Sequence, residues 1–452
     1  MPLTPQKIEY GFEKLYQPFQ SFISNQITLS VLLIFCVILA LVVANSPYAD
    51  HYEAFKAIPI GLSWGEAKFE MSLQLWVNEA FMTYFFFLLG LEVKRELLVG
   101  EIRTLQRLAP IAFAALGGIL FPASIYYALN LSSGYGHGWG IPVATDTALA
   151  VGILALLGKG IPSAAFVFLT ALAIIDDLGA ILVIALFYSD DISLPYLAVA
   201  AAMTLVLTAM NLAGIRRPSA YLLAGIVLWV ALHGSGLHST LAGIIVAAAV
   251  PARGKRDPKW LVEKGRKLLF RFERLHRQNK EINQILEDQE QHEVVEYLQK
   301  AAEKTSTPLR RWEKVLETPV ALFILPLFAL TNAGVAIDTE SLTSVWLHPL
   351  GAGVIFGLVI GKAVGIPLFC WLTMQLKLGV LPDGLSLRHV VGIGMLGGVG
   401  FTMSIFISSL GFSEDPDALL VAKTAVLLAS FLAGTLGYLW LKQQPATNGS
   451  EC

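Results

Sequence analysis

Charge is scarce in this chain. Asp, Glu, Lys and Arg make up 15% of its 452 residues and hydrophobic residues 55%, whereas about a quarter of an ordinary soluble domain is charged. With a mean hydropathy of +0.63, that balance argues against a soluble globular protein and for a membrane one. The net charge of -2 says nothing about nucleic acid. Cysteine is nearly absent too. Cys36 and Cys370 lie in apolar stretches and Cys452 at the terminus, so neither a disulfide framework nor metal-ligand spacing is present. Soluble-enzyme motifs are also missing. GLVIGKA lacks the spacing and the Ser/Thr of a phosphate loop, and HEVVE carries Glu296 where a zinc-binding helix has its second histidine. No enzyme and no cofactor are expected.

What the chain has instead is apolar runs. A window of about 19 residues finds about twelve of them, beginning near Thr28, Leu75, Leu108, Ile141, Ala164, Leu194, Ser219, Leu237, Pro319, Leu350, His389 and Ala418. Lys and Arg fall in the even-numbered connections: Lys94, Arg95, Arg103 and Arg107, then Lys159, then Arg216 and Arg217. Odd-numbered connections carry acids, such as Asp190 and Asp191, Asp338 and Glu340, and Glu414, Asp415 and Asp417. Basic loops stay cytoplasmic, so both termini are expected there.

The expected organisation is a cytoplasmic amphipathic segment (1–27), helices one to eight (28–251), a charged helical insertion (252–318), helices nine to twelve (319–441) and a short tail (442–452). In the first segment Ile8, Phe12, Leu15, Phe19 and Phe22 share one face of Lys7–Ile23, as an in-plane helix requires. The first outward connection contains AIPIGLSWGEAKFEM, a hairpin pattern whose exposed edge invites a second copy. The insertion repeats Ile282, Ile285, Leu286, Val294, Val295 and Leu298 at helical spacing among charges. A regulatory arm and a plain charged spacer are both open for it.

Against this apolar background Asp176 and Asp177 sit side by side in the run Ala164–Tyr188. A charge at mid-membrane costs about 2.5 to 3.5 kcal/mol even on the lenient scale, so such groups usually serve an ion or proton path. A purely structural polar contact between helices stays open. Two further runs are interrupted: the fourth, with Pro142 shortly before Thr145–Asp146–Thr147, and the eleventh, with Gly392, Gly394, Gly397, Gly398 and Gly400. Matching broken helices in two halves of a transporter mark its binding site. Their separation by an odd number of crossings would make related halves inverted repeats; for the eleventh run, glycines that merely allow close helix packing are the other open reading. A broken helix exposes partial charges of about half a unit at its ends. Asp146 is expected to face the N-terminal ends, and Lys362, deep in the tenth run, the C-terminal ends or a carboxylate.

The strings WVNEAFM, FFFLLGLEVKREL, PVATDTALAVGILALLG, FLTALAIIDDLGAILVIALFY, SGLHSTLAG, LPLFALTNAGV and GFTMSIFI, in that order, resemble the NhaA family of sodium/proton antiporters, itself among the inverted-repeat transporters. The resemblance runs from about Thr28 to Leu441. It implies an all-α polytopic protein of the bacterial inner membrane, with about twelve transmembrane helices in inverted-topology repeats. The fourth and eleventh would be crossed and discontinuous, and a β-hairpin in the first external loop would help hold a homodimer. The implied function is electrogenic, pH-regulated exchange of Na+ or Li+ against H+. Carried over by position, Asp177 is the principal cation ligand, Asp176 its neighbour, and Thr145 a helper. Asp176 and Asp177 would thus hold a transient Na+ or Li+. Asp146 and Lys362 compensate charge, with Lys362 able to pair with Asp176. Glu79 is an acid supporting the region. Glu92, Arg95, Glu96, His238 and Glu313 match the residues associated with pH activation, although the long insertion before Glu313 departs from the best-known members. Besides Na+, Li+ and H+, the expected partners are membrane lipid and a second copy, with no nucleic acid.

The residues also suggest how exchange would work. Hard cations prefer oxygen, and close buried carboxylates bind protons more tightly than free ones, so H+ and Na+ compete for one site. On a helix Asp177 and Asp176 lie about 100° apart; Asp177 is expected to face an aqueous funnel and Asp176 to lean toward Lys362. A sodium-coupled importer of an organic anion remains a rival, as does an intramembrane aspartic protease in which Asp146 and Asp176 share a proton.

Overall fold

In lipid a backbone has no water to bond with, so apolar runs close their own i→i−4 ladders, and the described part of the chain is accordingly mostly helical. The computed structural model describes residues 26–64, 67–99, 105–188, 192–278, 289–336 and 339–444. The expected amphipathic segment Lys7–Ile23, the acids Asp190, Asp191 and Asp338, the residues Ile282, Ile285 and Leu286, and the end of the tail lie outside that set.

Helix α1 (Gln26–Ala44) is followed by α2 (Ala49–Lys56) at a 118° bend. Strands β1 (Pro59–Trp64) and β2 (Ala67–Ser72) pair antiparallel, with Pro59 opposite Ser72 and Trp64 opposite Ala67. This is the hairpin expected in the first external connection. Its root is held by the Leu73 N–H on the Ile58 carbonyl at 2.9 Å and by the Trp76 indole N–H on the Ile60 carbonyl at 2.8 Å.

Next, α3 (Leu73–Trp76), a π turn (Val77–Phe81) and α4 (Met82–Val99) form one helical run. Then come α5 (Leu105–Leu129), a 3-10 stretch (Gly136–Val143), α6 (Thr147–Leu156), α7 (Ser163–Phe187), α8 (Leu194–Leu212), α9 (Pro218–Gly234) and α10 (Leu241–Ala249). The charged insertion supplies α11 (Pro258–Gln278) and α12 (Gln289–Thr305), amphipathic helices as expected. Helix α13 (Pro308–Pro319) passes through a second π turn (Val320–Ile324) into α14 (Leu325–Asn332). This ninth run is helical well ahead of its expected start, because Thr307 accepts from the Arg310 N–H and caps it. After α15 (Thr339–Leu347), a third π turn (Gly357–Gly361) joins α16 (Pro349–Phe356) to α17 (Lys362–Gln375). The chain ends in α18 (Leu387–Gly397), α19 (Phe401–Gly411) and α20 (Pro416–Lys442).

By length and hydropathy, seven helices among the described residues can each cross a membrane, and up to nine spans result if each bent pair counts as one. The expected starts all fall at or near helices, but some helices are too short or too charged to qualify. Helix α10 has 9 residues, about 14 Å at 1.5 Å per residue, roughly half a hydrocarbon core. Exposed Leu205, Leu223 and Phe431 suit lipid. Inside, one core cluster includes Phe86, Phe328 and Phe406, with Phe86 and Phe406 rings 5.5 Å apart. A second is built on Phe168, Leu169, Ile366 and Ile393, and a third on Tyr221, Leu228 and Trp312.

Helices α5 and α17 approach each other closely. A Cβ at Gly117 would stand 2.2 Å from the Gly365 carbonyl oxygen, and one at Gly365 2.3 Å from that of Gly117. Only two glycines allow the backbones so near, the small-residue packing typical of membrane helices. That contact draws α17, and Lys362 at its start, toward α7.

Candidate functional site

Two helix breaks meet at the site. The residues between the 3-10 stretch and α6, 144–146, are not helical, and α18 and α19 are bent by 43° across residues 398–400. The Asp146 N–H donates to the Val399 carbonyl at 2.6 Å, so one break supplies a backbone partner for the other. Ser404 Oγ adds a bond to the Ile141 carbonyl at 2.7 Å. Gly398 is required here, because a Cβ would come within 2.4 Å of the Leu358 carbonyl oxygen.

Asp146 caps two helices at once. Its Oδ1 accepts from the Leu149 N–H of α6 at 3.1 Å and its Oδ2 from the Thr402 N–H of α19 at 3.0 Å. Both are N-terminal ends, where partial positive charge meets a carboxylate. The residue is 2% exposed, so these N–H groups take the place of solvent.

Asp176 faces the other way. Lys362 Nζ donates to its Oδ2 at 2.5 Å and to Thr145 Oγ1 at 3.1 Å. Thr145 Oγ1 in turn lies 2.9 Å from both Asp176 Oδ2 and the Gly397 carbonyl oxygen. A hydroxyl has one hydrogen, so Thr145 serves one of these acceptors at a time. The ion pair is fully buried on both sides. Breaking such a pair by removing one partner typically costs about 3 to 5 kcal/mol.

Asp177, 3% exposed, accepts a longer bond from Thr147 Oγ1 to its Oδ2 at 3.3 Å. The expected orientation of Asp176 toward Lys362 is observed. The expected aqueous face of Asp177 is not, since this conformation is closed around it. Asp176 Oδ1 and Asp177 Oδ1 are buried oxygens without a donor, which are acceptors suited to a hard cation or a proton. Thr147 is the residue that sequence reasoning passed over. It stands beside Asp146 in the string TDT, yet only the turn of the broken helix aims it at Asp177.

Four of the five residues matched to pH activation are brought together. Arg95 Nε donates to Glu313 Oε1 at 2.8 Å and Arg95 NH1 lies 3.5 Å from Glu96 Oε2. Glu92 is within electrostatic reach of Glu313, Arg95 and Glu317. His238 is not with them. It lies near Glu79, whose carboxylate accepts from Ser239 Oγ and sits 3.6 Å from His233 Nδ1. Glu79 and Glu92 belong to one helical run and are separated by about 20 Å of helix rise, so the two charged groups occupy opposite ends of it.

Known proteins are similar to this chain over nearly its whole length. The family described as Na+/H+ antiporter 1 matches residues 20–441. Among curated relatives, the Na(+)/H(+) antiporter NhaA 1 of Shewanella denitrificans is 44% identical over 441 residues, 97% of this chain and 97% of that protein. The Na(+)/H(+) antiporter NhaA 1 of Saccharophagus degradans is 42% identical over 96% of this chain and 93% of its own length. The Na(+)/H(+) antiporter NhaA of Oleidesulfovibrio alaskensis is 43% identical over 97% of this chain and 96% of its own.

Proposed function

The chain belongs to the Na+/H+ antiporter 1 family, and from that membership we propose that it exchanges Na+ for H+ across the membrane, with Asp176 and Asp177 as a seat that H+ and Na+ occupy in turn. It is an integral membrane transporter by family and by its apolar helices. The observation that carries the proposal is the pair of buried aspartates, each keeping one oxygen without a donor, near the point where two helix breaks share a backbone hydrogen bond and beside the only cation drawn into the pair, Lys362, among the described residues.

In the proton-loaded, closed form Lys362 neutralises Asp176 and a proton neutralises Asp177. Opening on the cytoplasmic side lets Na+ compete for both carboxylates and displaces Lys362 from Asp176. Thr145, Thr147 and the Gly397 carbonyl stand within one or two bonds of the aspartates and complete the oxygen shell. If Asp177 and Lys362 each release a proton, more than one H+ moves per Na+ and exchange is electrogenic. Asp146 holds the two half-helices in register throughout, because its carboxylate bonds both N-termini. Li+, equally hard and smaller, is the other expected cargo. The basic even-numbered connections support cytoplasmic termini, and the Glu92, Arg95, Glu96 and Glu313 group supports a pH-responsive mouth on that side. The aspartic-protease reading is disfavoured, because both Asp146 oxygens are engaged by helix N–H groups and none by Asp176.

The test is collapse of a pH gradient in proteoliposomes on adding Na+, Li+ or K+ across a pH series. Na+ and Li+ should collapse it and K+ should not, and Asp177→Asn should insert and fold but lose exchange. Retained exchange by well-inserted Asp177→Asn would falsify the assignment.

A further inference from the structure

We propose that α11 is a membrane-surface helix that docks on anionic phospholipid headgroups beside the helical bundle. Helix α11 has two apolar faces where its hairpin with α12 needs one. The first carries buried Leu268 with half-buried Leu261, Phe272 and Leu275, at the i, i+4, i+7 spacing of one helix face. The second carries Val262, Leu269 and Phe270, which are 60%, 58% and 70% exposed. Arg266 and Glu273 lie on that same side.

Charge identifies the occupant. The helix PKWLVEKGRKLLFRFERLHRQ holds seven Lys and Arg against two Glu, a net charge of +5. The acid on the exposed stripe, Glu273, is already paired with Arg277. The α12 sequence QEQHEVVEYLQKAAEKT holds four Glu against two Lys, so positive charge is concentrated on α11 alone. An exposed apolar stripe edged by Lys and Arg is the pattern of an in-plane helix on an anionic bilayer, where each basic residue near the surface contributes about 1 kcal/mol.

The hairpin is also tied to the helical bundle at both roots. Helix α10 ends at Ala249 and α11 begins at Pro258, a connection that can reach no farther than about 3.6 Å per residue. At the other root α12 ends at Thr305, and α13 starts the candidate span Pro308–Asn332. The Lys255 and Arg256 N–H groups donate to the Lys304 carbonyl at 2.7 and 3.0 Å, closing the base. Trp260, 5.5 Å from the Arg256 guanidinium, adds an interfacial anchor at the root. A tethered helix meets the lipid surface at high effective concentration, which a soluble acidic partner does not.

This inference requires only that the chain is membrane-embedded. In the full-length protein, with its three cysteines replaced, Phe270→Cys is labelled with an environment-sensitive fluorophore and reconstituted in vesicles of phosphatidylglycerol with phosphatidylethanolamine, or of phosphatidylcholine alone. Spin-labelled lipid should quench the label several-fold more in the anionic vesicles, and Arg266→Glu with Arg274→Glu should abolish the difference. A label at Tyr297→Cys on α12 should stay open to aqueous iodide in both. Equal iodide access at position 270 in the two vesicle types overturns the proposal. So does shielding from both quenchers, which would mean cover by protein, a second copy included. Neither reading depends on transport, so failure of the exchange assay and failure of this proposal are distinguishable.

Discussion

The two aspartates differ in how tightly they are held, and that difference sets their parts in the proposed exchange. Asp176 has an ammonium at 2.5 Å, while Asp177 has one hydroxyl at 3.3 Å. Asp177 is therefore the carboxylate whose bare form has the least to stabilise it, the one that the proposed exchange must keep loaded with a proton or a cation. A single buried hydrogen bond contributes about 1 kcal/mol. Thr147→Val should accordingly raise the half-saturating Na+ concentration about three- to tenfold with the maximal rate largely kept, measured by Na+ titration of pH-gradient collapse. An unchanged Na+ requirement would remove Thr147 from the site. Competition sets the pH dependence: acid protonates the pair, so the Na+ requirement must rise as pH falls, approaching about tenfold per pH unit for one competing proton. Asp176, Asp177, Asp146 and Lys362 stood out in the sequence because ionisable groups are costly in apolar runs. Thr147 did not, because a threonine there costs little and carries no such signal.

Elements bring these residues within reach. Three π turns lie on candidate functional helices, at Val77–Phe81, Val320–Ile324 and Gly357–Gly361; π turns often accompany functional sites. The first holds Glu79, the second follows Pro319, whose missing N–H disrupts the regular ladder, and the third ends next to Lys362. Gly365, one turn beyond Lys362, is packed against the Gly117 backbone. Gly365→Val must push α5 and α17 apart, and overpacking of this kind costs about 1 to 3 kcal/mol. The expected result is a lower melting temperature in detergent together with impaired exchange. A variant that melts normally would show that α17 is not held by this contact. The broken helices were legible from Pro142 and the eleventh-run glycines. Their mutual hydrogen bonds, the length of α10 and the early start of α13 were not, since each depends on a neighbour that is distant in sequence.

At the scale of the molecule, the β-hairpin is the part that the proposed homodimer would use. Its strands pair only with each other among the described residues, and unpaired strand edges recruit partners. Removing residues 59–72 should shift the protein from dimer to monomer in mild detergent, read by native mass spectrometry. A dimer that survives the deletion would place the contact elsewhere. The sequence by itself determined that this chain is a polytopic helical membrane protein with a buried acid pair, a deep lysine and two interrupted helices. Those features follow from the energy of placing charge and unbonded backbone in hydrocarbon, which acts on each segment locally. The tertiary structure alone decided which two backbone N–H groups Asp146 accepts from, that Thr147 reaches Asp177, and that His238 lies with Glu79 rather than with Glu92. Such pairings depend on which segments fold against each other, and hydrophobicity along the chain is the same for many such arrangements.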